Sequence, residues 1–162
     1  MKFSNNKRML AHNSHIYQSK EFALNSNYDL IYFVEDDYLH HHDAIEEMIF
    51  SYEKFSTIYK KDIIMCPADY PFLYNKFELT NILAGHKKHW RRVNESLCTY
   101  LISHNILKKN WKTYEKPLHT LYKKTQCFSP IPSLSLHMTN VNSAYGLSPM
   151  VDWLDVWKKN KY

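Results

Sequence analysis

"DLIYFVEDDYLHHHDAIEEM", residues 29–48, sets five apolar or aromatic residues directly before Glu35, Asp36 and Asp37. The run Leu30 to Val34 has the continuous, β-rich character of a strand covered on both faces, as in a parallel sheet. Three neighbouring acids at the end of such a strand repel one another, and loss of water adds to the cost unless a cation or hydrogen bonds compensate. In parallel α/β sheets, ligands bind beyond the carboxyl ends of strands. Carboxylate oxygens there suit a hard divalent ion such as Mg²⁺ or Mn²⁺, whose shell substrate phosphates can complete. The plainer alternative is an acidic surface turn in which Asp37 is merely solvated.

Downstream of the acids the pattern turns helical. Asp43 is placed to cap a helix and Glu46, three residues on, to complete a capping box. Ile45, Met48, Ile49, Tyr52, Phe55 and Tyr59 then recur at helical spacing, and Lys60-Lys61 match the end of the helix dipole. "DIIMC", residues 62–66, is a second buried-strand pattern stopped by Pro67. Strand, helix and strand together predict a right-handed βαβ crossover in a parallel sheet.

Upstream, residues 14–27 predict a short helix ending at Asn25-Ser26-Asn27. Downstream, "FELTNILAG" predicts a strand, antiparallel at that point and ending at Gly85. Asn94 is placed to cap a helix through Lys109, with Leu97, Tyr100, Leu101, His104 and Leu107 along one side. Residues 111–125 are ambiguous because Pro117 interrupts them. "SPIPSLSLHM" is extended, and "SPMVDWLDVWKKN" ends the chain as a short helix.

Composition narrows the class. At 162 residues and 44% apolar content, residues 1–162 read as one folded domain. The longest apolar run falls far short of the roughly 20 residues that span a bilayer, and the start lacks an apolar core of signal-peptide length, so the expectation is a cytoplasmic protein without a membrane span. Net charge is +5, but the lysines fall in scattered pairs, which argues against nucleic acid as partner. Cys66, Cys98 and Cys127 form no CxxC pair and read as buried thiols, Cys98 within a helical pattern. The run His40-His41-His42 suggests a metal site, but consecutive loop side chains diverge, and exposure at the start of the helix is the simpler account.

The apolar strand, the acids, the short loop and the helix beginning at "DAIEEM", followed by "DIIMCPADYP", resemble the DXD region of the GT-A glycosyltransferases, especially glycosyltransferase family 2. The resemblance implies an α/β fold, a GT-A-like (Rossmann-like) partly parallel sheet flanked by helices. It implies transfer of a sugar from a nucleotide-sugar donor to a glycan-type acceptor hydroxyl with Mn²⁺ or Mg²⁺. Asp37 becomes the leading metal ligand, with Glu35 and Asp36 directed to metal, water or ribose, and His137 in "PSLSLHM" is either a late ligand completing the shell or a histidine of an ordinary turn. On the acceptor side, Trp90 is read as a stacking platform for a sugar or as core. Arg91 and Arg92 neutralise the leaving diphosphate or are solvated. Glu95 is a general base or a residue of a helix's first turn; Asp69 and Asp152 are the other candidate bases. With only 29 residues before Leu30, the nucleotide-gripping N-terminal strands are expected to be missing or supplied by a partner. The alternatives are a metal-dependent phosphodiesterase or nuclease, and a non-catalytic module binding glycans or nucleic acid through its aromatic residues.

Overall fold

The computed structural model describes residues 7–75, 77–110, 119–138 and 150–161. Helix α1 (Lys7–Leu24) leads into β1 (Leu30–Phe33), β2 (Tyr38–His40), α2 (Ala44–Tyr59) and β3 (Ile64–Met65). A 3₁₀ turn (Pro71–Tyr74), β4 (Ile82–Ala84), β5 (His89–Val93), β6 (Tyr100–Ser103) and α3 (His104–Asn110) follow. The chain continues through α4 (His119–Lys124), β7 (Cys127–Ile131), β8 (Ser135–His137) and α5 (Trp153–Lys159).

Six strands form one mixed sheet in the order β1-β6-β3-β7-β5-β4, and β2 pairs with β8 in a separate two-stranded ladder. In the large sheet only β3 and β7 pair in parallel; the other pairings are antiparallel. The expected crossover between adjacent parallel strands is therefore corrected. β1 and β3 do run in the same direction, but β6 is inserted antiparallel between them. Residues 100–103, read as helix from the spacing of their apolar side chains, form this inserted strand, and helix begins only at His104. All four residues of β6 are buried, so the strand shows none of the alternation that distinguishes a half-exposed one. Asn94 lies ahead of a strand, not a helix.

Helices cover both faces of the sheet, and side-chain alternation assigns the two faces. Ile64, Tyr100, Ile102 and Cys127 pack with Ala23, Ile106, Leu107 and Leu121. Met65, Leu101 and Phe128 point the other way, onto Met48, Tyr52 and Phe55 of α2. Each fully buried Phe or Met contributes roughly 1.5–3 kcal/mol. β1 lies at the edge of the sheet and its residues are half-buried, not covered on both faces.

Two local expectations also change. Asp43 precedes α2 but makes no side-chain cap; its carboxylate turns back to His41. Lys60 does end α2, in a left-handed conformation with its N–H donated to Thr57. Cys66 and Cys127 are buried thiols whose sulfurs lie 3.2 Å apart, and burial pushes the Cys127 thiol well above its usual value. Cys98 is half-buried in the loop before β6. α1 reaches further back than expected and ends, as anticipated, before the Asn25-Ser26-Asn27 turn. The ambiguous segment 111–118 lies outside the described residues.

Candidate metal centre

Strand directions create the site. β1, β3 and β7 all end at one rim of the sheet. Glu35–Asp37 follow β1, Asp69 follows β3, and the chain leaving β7 returns as β8. The acids would be distant from any late residue were it not for the β2–β8 ladder, which sets Tyr38 opposite His137. The Met138 N–H donates to the Asp37 carbonyl at 2.7 Å and extends that ladder by one step.

The result is a cluster of Glu35, Asp37 and His137 whose ligand atoms all lie within 4.8 Å of one another. His137 Nε2 is 2.9 Å from Asp37 Oδ2. Backbone contacts hold the acids in place: the Glu35 N–H donates to the buried Thr99 hydroxyl at 3.1 Å. Tyr38 stacks on His137 with ring centroids 4.8 Å apart, and its hydroxyl lies 2.5 Å from that of Tyr70. Burial, and after it the charges of Glu35 and Asp37, push the Tyr38 phenol above its usual value. A phenol so placed stays protonated. Two carboxylates and one imidazole form a donor set that fits Mn²⁺, with Mg²⁺ less at ease beside the nitrogen.

Beside the acids, a cleft of 1060 Å³ opens between α1 and β1, lined in part by Lys20, Tyr28, Tyr32, Glu35, Asp36 and Asp37. Asp36 is exposed at its mouth. Lys20 is 5% exposed, and burial lowers its pKa from the usual lysine value to about 8. Burial, reinforced by Glu35, pushes the Cys98 thiol in the same cleft up to about 11. Lys20 escaped the sequence reading. The signal was there: it occupies the stripe Ile16-Lys20-Ala23, where helical spacing calls for an apolar residue.

Other candidates stand elsewhere. Trp90 is wholly buried, donates its indole N–H to Glu47 at 2.9 Å and packs edge-on against Phe55, so it offers no face to a sugar. Arg91 is bonded to Asp69 at 2.6 Å and stacks over the Tyr74 ring at 4.1 Å. Asp69, 2% exposed, also accepts from the Tyr74 hydroxyl, and its backbone N–H donates to Ser133. Burial raises the Asp69 carboxyl above its usual value, while Tyr74 and Arg91 pull it back. Arg92 is exposed on β5. Glu95 is exposed beyond Val93, which pairs with Cys127 at the rim opposite the acids. Asp152 accepts from the Asp155 N–H at the start of α5.

Comparison of the chain with protein-family models, with curated proteins and with solved structures yields no match. No helix among the described residues is long and apolar enough to cross a membrane.

Proposed function

We propose that the chain is a metal-dependent glycosyltransferase of GT-A-like architecture, moving a sugar from a nucleotide-sugar to an acceptor hydroxyl. One observation carries the reading: Glu35, Asp37 and His137 converge at the strand-end rim beside a cleft large enough for such a donor. A divalent cation bound there supplies Lewis-acid neutralisation of the departing diphosphate.

The chain's own groups do the rest. Asp37 and Glu35 supply hard anionic oxygens, and His137, oriented by its contact with Asp37 and by the Tyr38 ring, supplies nitrogen. Lys20, charged below about pH 8, faces the cleft where a diphosphate would lie. Asp36, exposed at the mouth, is free of the core and suits a ribose hydroxyl. In this reading Asp69 is a structural anion and not the base, because its oxygens are engaged by Arg91 and Tyr74. Glu95 is likewise set aside by its position at the opposite rim.

The test is a thermal-shift screen of UDP, GDP and CDP and their sugars, with and without Mn²⁺. Stabilisation by one nucleotide that requires Mn²⁺ and vanishes in Asp37→Ala is expected; His137→Ala should weaken Mn²⁺ binding about tenfold or more. Shifts indifferent to Mn²⁺ and to Asp37→Ala, or hydrolysis of a simple phosphodiester with no protection by nucleotide-sugars, overturn the proposal.

A further inference from the structure

His41, His42 and Asp43, between the end of β2 and the start of α2, form a second cluster whose ligand atoms also lie within 4.8 Å of one another. We infer that it is a zinc site separate from the Glu35–Asp37–His137 centre.

The two rings do not diverge as neighbouring loop side chains ordinarily would. Their centroids are 4.5 Å apart with planes inclined at 37°. His41 Nδ1 lies 2.5 Å from Asp43 Oδ1, with the two side chains only 28% and 17% exposed. The loop is fixed at both ends: the His41 N–H donates to the Leu134 carbonyl at 2.8 Å, and the Ala44 N–H to the His41 carbonyl at 3.0 Å.

Asp43 sits where a capping aspartate would accept from the first turn of α2, a bond worth about 1 kcal/mol. Its carboxylate makes no such bond and is held against His41 instead. The histidine–aspartate contact is therefore a preformed pair of ligands, with His42 exposed beside it as the third. A cation would take up the nitrogen and carboxylate oxygen that now face each other in His41 and Asp43, and water would fill the remaining position.

Two imidazoles and one carboxylate select Zn²⁺ over Mg²⁺, in contrast to the oxygen-rich rim centre. Of the charges nearby, Lys88 opposes a cation. Lys87 is held by Glu46 at 3.0 Å, and Glu46, with His86 3.7 Å from it, adds negative charge on the next turn of the helix. Zinc binding would fasten the junction between β2 and α2.

Zinc is titrated calorimetrically into the full chain in excess Mg²⁺, using wild type, Asp37→Ala, His42→Ala and the double variant. Asp37→Ala, which cripples the rim centre, should keep one zinc site. The double variant should lose it, with affinity at least about tenfold lower and no zinc-induced rise in unfolding temperature. Because His42 is exposed, its removal leaves the fold intact. Should Asp37→Ala itself misfold, wild type against His42→Ala decides: one zinc fewer per chain supports the site. Equal zinc binding with and without His42, in either background, overturns it. Loss of nucleotide binding alone would overturn the transferase reading and leave this one standing.

Discussion

Glu47, on the inner face of α2, is completely buried, and four donors meet its carboxylate. They are the Ser51 hydroxyl at 2.9 Å, the Trp90 indole at 2.9 Å, and the backbone N–H groups of His86 at 3.2 Å and Lys87 at 2.6 Å. Gly85 precedes this turn, and a Cβ there would come within 2.5 Å of Ser51 Oγ and the Trp90 ring, so only glycine lets the loop close so tightly on α2. Asp37 is only partly buried, its side chain 35% exposed, and its surroundings include another acid and a histidine within ligand distance. Around Glu47 the fold brings donors to an acid; around Asp37 it brings further cation ligands. The first arrangement stabilises the fold, whereas the second gathers like charge at a cost that a bound cation would offset.

The sharpest way to break this contrast is Glu47→Ala. It strands several buried donors and should lower the unfolding free energy by about 3–5 kcal/mol in urea denaturation, with Mn²⁺ affinity of the folded fraction unchanged. A loss below about 1 kcal/mol would mean that Glu47 is not the anchor described.

Arg91→Ala comes next, at about 3 kcal/mol near neutral pH, because it leaves buried Asp69 without its guanidinium. The pH dependence has a definite sign. The raised Asp69 carboxyl holds its proton more tightly when folded than unfolded, so its contribution to stability falls as pH rises from the ordinary carboxylate range through the folded value. Removing Arg91 raises that value further. The deficit should therefore shrink as pH is lowered toward about 4, and a pH-independent deficit would contradict the assignment.

Asp37→Ala reverses the pattern. Mn²⁺ affinity should fall about 100-fold, while stability without ions stays within about 1 kcal/mol of wild type, since a repulsive neighbour of Glu35 has gone and the His137 pair is partly exposed. Loss of several kcal/mol would place Asp37 with Glu47.

The smallest effect belongs to Lys20→Ala, about tenfold weaker nucleotide binding. Wild-type affinity should decline above about pH 8 as Lys20 loses its proton. The variant should show no such decline; an identical pH profile in both would remove Lys20 from the site.

These contrasts track what was legible in the sequence. The strand before the acids and the strand at Ile64–Met65 follow from short continuous apolar runs, and helix α2 from the period its one buried face imposes. The insertion of β6 did not, since Leu97, Tyr100, Leu101, His104 and Leu107 satisfy a helical period equally well and only strand pairing decides between them. The capping box failed for a related reason: the Asp43 carboxylate had a competing partner two residues away. At the site, Glu35 and Asp37 were marked by chemistry alone, and His137 by resemblance. What brings the histidine to the acids is the β2–β8 ladder, which no local pattern announces. Trp90 in "HWRRV" was the reverse case, where the strand's inward face outweighed the functional appeal of an exposed indole.

That ladder has a consequence for assembly. Its register joins residue 38 to residue 137, so the acids emerge early in the chain and their imidazole only near its end. A shortened chain stopping before Ser135 would keep both carboxylates yet bind cations through oxygen alone. If the proposed centre takes manganese, the ion's affinity would gauge whether the late segment has docked, and by linkage the ion would favour the docked state.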